Sequence, residues 1–438
     1  MTSGRELPEV RVVPPGPRSR ALAARLAAAE SPSVDARREA RARASGADQA
    51  PIVYAAGVGA NVVDVDGNRY VDLAAGFGAL LLGHAPPAVV TAVEAQQRTL
   101  GLALGDVYGS EPKLALCERL VKLYPAPGAR VMLGSSGADA VTAALKTAVL
   151  ATGKPGVVAF EGAYHGLSHG PLAVCGLNAG FREPFALQLN QRVTFAPYPR
   201  GDLDASKHAV EEAIGRGDVG AVLVEPILGR GGCIVPPATF LPWLRRACDA
   251  AGALLVADEI WTGLGRSGGW LASVSGDCVP DVVCLGKGLG GGLPVSACLG
   301  SERAMAGWGE HGGTTIHTAT HFGSPPVCAA AVATLDALER EALPNRARTA
   351  GDRWMKALRA ATAGLGVNEV RGRGLMVGIE LEGGAGRALA VSRRLLERGW
   401  IVLTGGSAGD ALTLTPPLDI DEALLEAFCP VLAGALAS

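Results

Sequence analysis

Apolar residues recur along this chain in two rhythms. Between residues 76 and 335, short apolar runs at 157–160, 221–225, Leu254–Asp258 and Val282–Leu285 alternate with longer stretches of helical spacing, such as 138–151 and Phe240–Ala251. Short runs without polar alternation suit strands covered on both faces. Their alternation with helices argues a largely parallel sheet. After residue 335 a long amphipathic helical pattern leads to strand candidates at Met376–Leu381 and 401–404, each followed by helical spacing. Near the start, VVDVDGNRYVD at 62–72 reads as two short strands around an Asp66-Gly67 turn. Ahead of it, PPGP at 14–17 precedes a helix-like Ala/Arg-rich stretch at 19–30, and the residues up to about 50 read as an arm. The pattern predicts an α/β chain in three parts: an N-terminal arm and hairpin over 1–75, a large domain over 76–335 and a smaller α+β domain over 336–438. There is no internal repeat.

Composition narrows the classes. A chain of 438 residues holds two or three domains or one large α/β core, and 48% hydrophobic with 19% charged residues describes a globular protein. No apolar run approaches the roughly 18 residues that a membrane helix needs. The opening MTSGRELPEV lacks a basic segment followed by an apolar one, so no secretory signal is expected. A net charge of −2 gives no electrostatic case for nucleic acid or an anionic membrane. Nine cysteines without a C-x-x-C pair read as small core residues in a reducing compartment, and the cytoplasm is the expected location.

Four stretches carry candidate chemistry. LLVADE ends an apolar strand in carboxylates and puts Asp258 at the carboxyl end of the sheet, where open α/β folds bind ligands. Such acids also cap helices or hold a ribose. DVVCLGKGLGGGLP sets Lys287 among glycines after another strand. It lacks the helix-opening context of a dinucleotide fingerprint, and Gly288 stands where a Walker motif needs Ser or Thr. Desolvation there lowers a lysine pKa and makes the amine nucleophilic; a solvated loop lysine is the alternative. GSSGADAVTAALK opens a helix with a turn whose N–H groups and dipole suit a phosphate, or is an ordinary serine cap. FEGAYHG offers an aromatic ring after a strand, for stacking on a flat group or for the core.

Phosphate turn, aromatic, strand-end carboxylate and strand-end lysine, in this order, resemble the class III (ornithine/4-aminobutyrate-type) pyridoxal-phosphate aminotransferases. The resemblance runs from about residue 14 to the C-terminus through VDVDGNRYVDLAAGFGALLLGH, SSGADAV, AYHG, VEPILGRGG, ADEIWTGLGRSG, GKGLGGGLP, VRGRGLMVGIEL and LTPPL. It implies fold type I of the pyridoxal-phosphate-dependent transferases, and ping-pong transfer of an amino group from an amine, diamine or amino acid to a keto acid. It also implies that Lys287 holds the cofactor as a Schiff base and moves the proton between substrate Cα and cofactor C4′. Asp258 then pairs with the pyridinium nitrogen. Ser136, Gly137 and Ala138 match the phosphate turn, Tyr164 the aromatic over one ring face and Ile260 the aliphatic residue under the other. His165 falls beside the cofactor, Glu225 matches a cofactor-site glutamate, and Thr320 matches a threonine that reaches the phosphate of the neighbouring subunit. A homodimer with shared sites follows from that last role.

The chain also departs from the family pattern. Leu167 stands where 4-aminobutyrate enzymes carry an arginine for the distal carboxylate, and Thr413 where many members have an arginine for the α-carboxylate. Glu225 matches the glutamate that alternates with that arginine. Without the two arginines, 4-aminobutyrate is expected to be a poor donor and a substrate with a second ammonium a better one. The alternative is a cation from elsewhere, such as Arg230 or Arg200. Trp261 replaces a common glutamine and Ser324 a common asparagine. SSGADAV and AYHGL look like diaminobutyrate aminotransferases, favouring a terminal amine as the reacting group. The pairs His165/His169 and His317/His321 have metal-like spacing but lie in loops that match the family, and no metal is expected. A class III racemase or epimerase, an aminomutase and a binding protein without turnover share these motifs and stay open.

Overall fold

The structure, a computed structural model, describes residues 3–310 and 312–438. These form two compact units: Pro87–Pro344, and the described residues up to Pro86 together with Asn345–Ser438.

The Pro87–Pro344 unit is built on seven strands, in chain order β1 (Arg130–Gly134), β2 (Gly156–Phe160), β3 (Val193–Ala196), β4 (Val219–Val224), β5 (Leu254–Asp258), β6 (Val282–Leu285) and β7 (Ser296–Gly300). Their order in the sheet is β1-β7-β6-β5-β4-β2-β3. Only β7 runs antiparallel to its neighbours; the pairs from β6 through β3 are parallel. Side chains alternate between two cores, as the pleat requires. Val158, Phe160, Val222, Val224 and Leu255 join Phe240, Leu244 and Cys248 of α2 (Phe240–Ala251) on one face. Ala159, Leu223, Val256 and Cys284 join Ala140, Val141, Ala144 and Ala148 of α1 (Gly137–Thr152) on the other. The small alanines let α1 lie close on the sheet. The four strands expected from sequence are present, with β4 ending at Val224 and leaving Glu225 just beyond it.

In the other unit the expected hairpin forms from Asn61–Asp64 and Arg69–Asp72. Asp64 Oδ1 accepts from the N–H groups of Asp66 and Asn68, both at 2.9 Å, and Oδ2 from the Tyr70 hydroxyl at 2.7 Å. Asp66 caps the helix Pro17–Ala27 by accepting from Arg18 and Ser19 N–H at 2.8 Å each. The strand expected at 401–404 is divided. Trp400–Ile401 pairs in parallel with Arg69–Asp72, whereas Leu403–Gly405 pairs with Ala411–Leu414 in an antiparallel sheet completed by Met376–Leu381 and Val367–Arg373. No helix among the described residues is long and apolar enough to cross a membrane.

Candidate active site

The candidate residues lie in the Pro87–Pro344 unit, most of them at the carboxyl ends of its parallel strands. Where β1 gives way to α1, Ser136 is the N-cap, and its hydroxyl accepts from Asp139 N–H at 3.2 Å while Asp139 Oδ2 accepts from Ser136 N–H at 2.9 Å. This capping box consumes the donors on either side but leaves the N–H groups of Gly137 and Ala138 without a hydrogen bond among the described residues. Two free donors at the positive end of a sixteen-residue helix form an anion cradle. Gly137 is needed there, because a Cβ would lie 2.8 Å from Ile260 Cδ1.

Beyond β5, Asp258 is buried and doubly held. His165 Nδ1 lies 2.7 Å from its Oδ2, and Ile260 N–H donates to its Oδ1 at 3.0 Å. The His165 ring is fully buried and its other nitrogen, Nε2, has no partner. The next residue, Glu259, is buried and turned to other work: Oε1 accepts from Ser273 N–H and hydroxyl at 2.6 and 2.7 Å, and Oε2 from the Thr262 hydroxyl.

Glu225 forms a clasp. Its Oε1 accepts from Tyr164 N–H at 2.7 Å and its Oε2 from Gly229 N–H at 2.8 Å, so one buried carboxylate fixes both the aromatic loop and the turn after β4. Burial pushes its carboxyl above the usual range and the negative charge of Asp258 adds to this, against His165 and the two amide donors. With both oxygens engaged, Glu225 anchors two loops, a fixed position unlike the alternating partner of an arginine described by the resemblance.

After β6, Lys287 adopts a backbone φ of +35°, in the left-handed region that non-glycine residues rarely enter. Burial is the main cause pushing its amine down to about 8; Arg230 pushes the same way, and Asp258 and Glu225 oppose. Its Nζ lies 4.4 Å from the centre of a Trp261 ring, and Trp261 Nε1 is buried without a partner. Sequence reasoning left Trp261 only as a departure from the family and did not foresee this stacking, nor the His165–Asp258 pair across 93 residues.

Thr320 stands apart, exposed and in a turn-rich stretch. Leu167 is 48% exposed. Thr413 belongs to the other unit, buried in Ala411–Leu414 with its hydroxyl unpartnered. His169 bonds Gln188 Oε1 at 2.6 Å and His317 packs near Trp308 and Phe322. No cluster of three or more His, Cys, Asp or Glu among the described residues is placed to hold a metal.

Residues 42–436 match the class III aminotransferase family. The chain is 42% identical over 393 residues to the acetylornithine aminotransferase of Mycobacterium bovis, covering 88% of this chain and 92% of that one. It is 39% identical to the acetylornithine aminotransferase of Methanopyrus kandleri, over 88% of this chain and 94% of that one. Among solved structures, the ornithine aminotransferase of Toxoplasma gondii superposes with a TM-score of 0.81 at 30% identity, over 89% and 90% of the two chains. A thermostable omega transaminase from Pseudomonas jessenii gives 0.82 at 26% identity, over 88% and 92%.

The chain belongs to the class III aminotransferases. It is a pyridoxal-phosphate-dependent aminotransferase of fold type I, transferring an amino group between an amino donor and a keto acid. Nothing in these likenesses supports a racemase or a binding protein without turnover. The residues present also fit the cofactor on their own chemistry. The free N–H groups of Gly137 and Ala138 suit a phosphate, and the lowered Lys287 amine suits a carbonyl. Asp258, held by His165, suits a protonated ring nitrogen. Tyr164 and Ile260 supply an aromatic and an aliphatic surface for a flat ring.

Proposed function

We propose that this aminotransferase works through one constellation in the Pro87–Pro344 unit, with Lys287 as the residue that carries the cofactor and moves the proton. Pyridoxal phosphate, when bound, supplies a carbonyl for the donor amine and a ring that withdraws electrons from the donor's Cα. Lys287, with its pKa near 8, is about half neutral at that pH and so serves as nucleophile and proton carrier alike. Asp258 would pair with the ring nitrogen, and His165 orients that carboxylate through the 2.7 Å contact. Gly137 and Ala138, with Ser136 fixing the turn, take the phosphate. Tyr164 and Ile260 confine the ring, and Glu225 acts by locking the Tyr164 loop. The observation that carries this reading is a buried strand-end carboxylate, Asp258, oriented by His165 and acting on a strand-end lysine whose pKa is lowered.

The donor we infer presents a terminal amine, which the acetylornithine and ornithine names of the relatives support. The functional unit is a homodimer in which Thr320 serves the partner's site; its exposure and lack of any bond to the other candidates support this. Nine cysteines outside any disulfide, eight of them buried, support a reducing cytoplasm.

Borohydride reduction of the holoenzyme followed by peptide mapping is expected to find the cofactor fixed on Lys287, and a label elsewhere would reject the assignment. Mixing Lys287→Ala with Thr320→Ala subunits, each poorly active alone, should restore activity, because the mixed dimer holds one site with neither lesion. No recovery from demonstrated mixed dimers would rule out sharing through Thr320.

A further inference from the structure

The two positions expected to hold arginine for a substrate carboxylate are Leu167 and Thr413, yet the candidate site does contain a guanidinium. Arg230 follows Gly229 in the turn after β4, and its central carbon lies 4.4 Å from the centre of the Tyr164 ring. Among the described residues no carboxylate pairs with it. Its placement is built. Glu225 bonds Gly229 N–H with one oxygen and Tyr164 N–H with the other, so the same buried group sets both members of the stack. A Cβ at Gly229 would come within 2.6 Å of Trp261, so this turn also packs against the ring over which the Lys287 amine sits.

We propose that Arg230 is the specificity-determining residue that binds the carboxylate of the donor or acceptor, replacing the arginines missing at 167 and 413. The inference rests on the aminotransferase reading and names the substrate group that this site recognises. A guanidinium lying on an aromatic ring uses its π face there and keeps its in-plane N–H donors for an oxyanion, in the fork geometry that matches a carboxylate. Local charge agrees. Asp258 faces His165, and both oxygens of Glu225 accept from main-chain amides, so neither forms a direct ion pair with Arg230. A substrate carboxylate is the ion-pair partner this guanidinium is left to take. Glu225, already engaged, offers little to a second ammonium, which reverses the preference drawn from Leu167 and Thr413 alone.

The test uses holoenzyme and isothermal titration with glutarate, a five-carbon dicarboxylate without an amino group, and with glutaramide, its uncharged counterpart. Wild type should bind glutarate at least about tenfold more tightly than glutaramide. Arg230→Gln should lose most of that difference, and Arg230→Lys should recover part of it, as a point charge without the fork. The cofactor's visible absorbance, read on the same samples, reports separately on the aminotransferase reading. If that band is absent from wild type, the cofactor assignment has failed. If the band is present and Arg230→Gln binds glutarate within threefold of wild type, or wild type does not distinguish the two ligands, the role of Arg230 is overturned. Should Arg230→Gln fail to fold, Arg230→Lys decides: affinity equal to wild type would exclude the bidentate contact, and a partial loss would support it.

Discussion

Two buried carboxylate networks start from adjacent residues at one strand end, and they differ in whether they close. Glu259 is met by the Ser273 amide and hydroxyl and by the Thr262 hydroxyl. Burial pushes its carboxyl up and these donors pull against that shift. Every contact is internal, and the network locks the segment after β5 onto residues 262–273. Asp258, one residue earlier, has His165 and the Ile260 amide, and the His165 ring ends in a nitrogen with no partner. A closed network spends its polarity on the fold; an open one holds polarity in reserve for a ligand. Two acids of nearly the same chemistry, both buried, are separated in role by which donors the fold sends to meet them.

That contrast can be broken most directly at Asp258. Asp258→Asn keeps the size of the side chain and removes the charge, so turnover should fall by roughly a hundredfold to a thousandfold, with the unfolding midpoint little altered. Steady-state rates and denaturant melts on the same preparation check this; near wild-type turnover would defeat the proposed role. Glu259→Gln should behave in the opposite way. An amide cannot accept all three donors, and stability should drop by about 2 kcal/mol, while turnover per folded molecule changes by less than about threefold, an effect too small to register as transition-state stabilisation. A large rate loss with unchanged stability would move Glu259 into the chemistry and erase the distinction.

The smallest effect concerns pH. The Lys287 amine is pushed down to about 8 from an ordinary 10.5, so the folded protein loses that proton before the unfolded chain does. The unfolded state therefore binds more protons between these values, and stability rises with pH across that window. In cofactor-free protein, Lys287→Met should melt a few degrees above wild type below pH 8, with the gap closing by about 10.5. A gap independent of pH would show that Lys287 carries its charge at no cost in the folded state.

Much of this was legible in the sequence where chemistry sits next to a strand. Asp258 and Lys287 follow apolar runs whose ends the pattern located, and Ser136 opens a helix with a visible cap. Contacts between distant segments were not legible, because spacing carries no signal for them: His165 and Asp258 are 93 residues apart, and the Glu225 clasp reaches 61 residues back to Tyr164. In the sequence Arg230 stands only as an alternative cation, since nothing in VEPILGRGG indicates which loop it meets. In the fold, the helix Ser33–Ser45 buries no residue and has no apolar stripe to announce it. The 401–404 run looks like one strand in the sequence, because its division between two sheets leaves no mark in the apolar pattern.

The left-handed backbone at position 287 has a practical side. An L-residue held at a φ of +35° carries a local penalty of about 1–2 kcal/mol, which glycine escapes. A Lys287→Gly protein should therefore be a sounder scaffold than Lys287→Ala, relieved of strain and left with a slot the length of a butylamine. Small primary amines added from solution are expected to fill that slot untethered, turning the proposed covalent anchor into a replaceable part whose basicity is chosen by the experimenter.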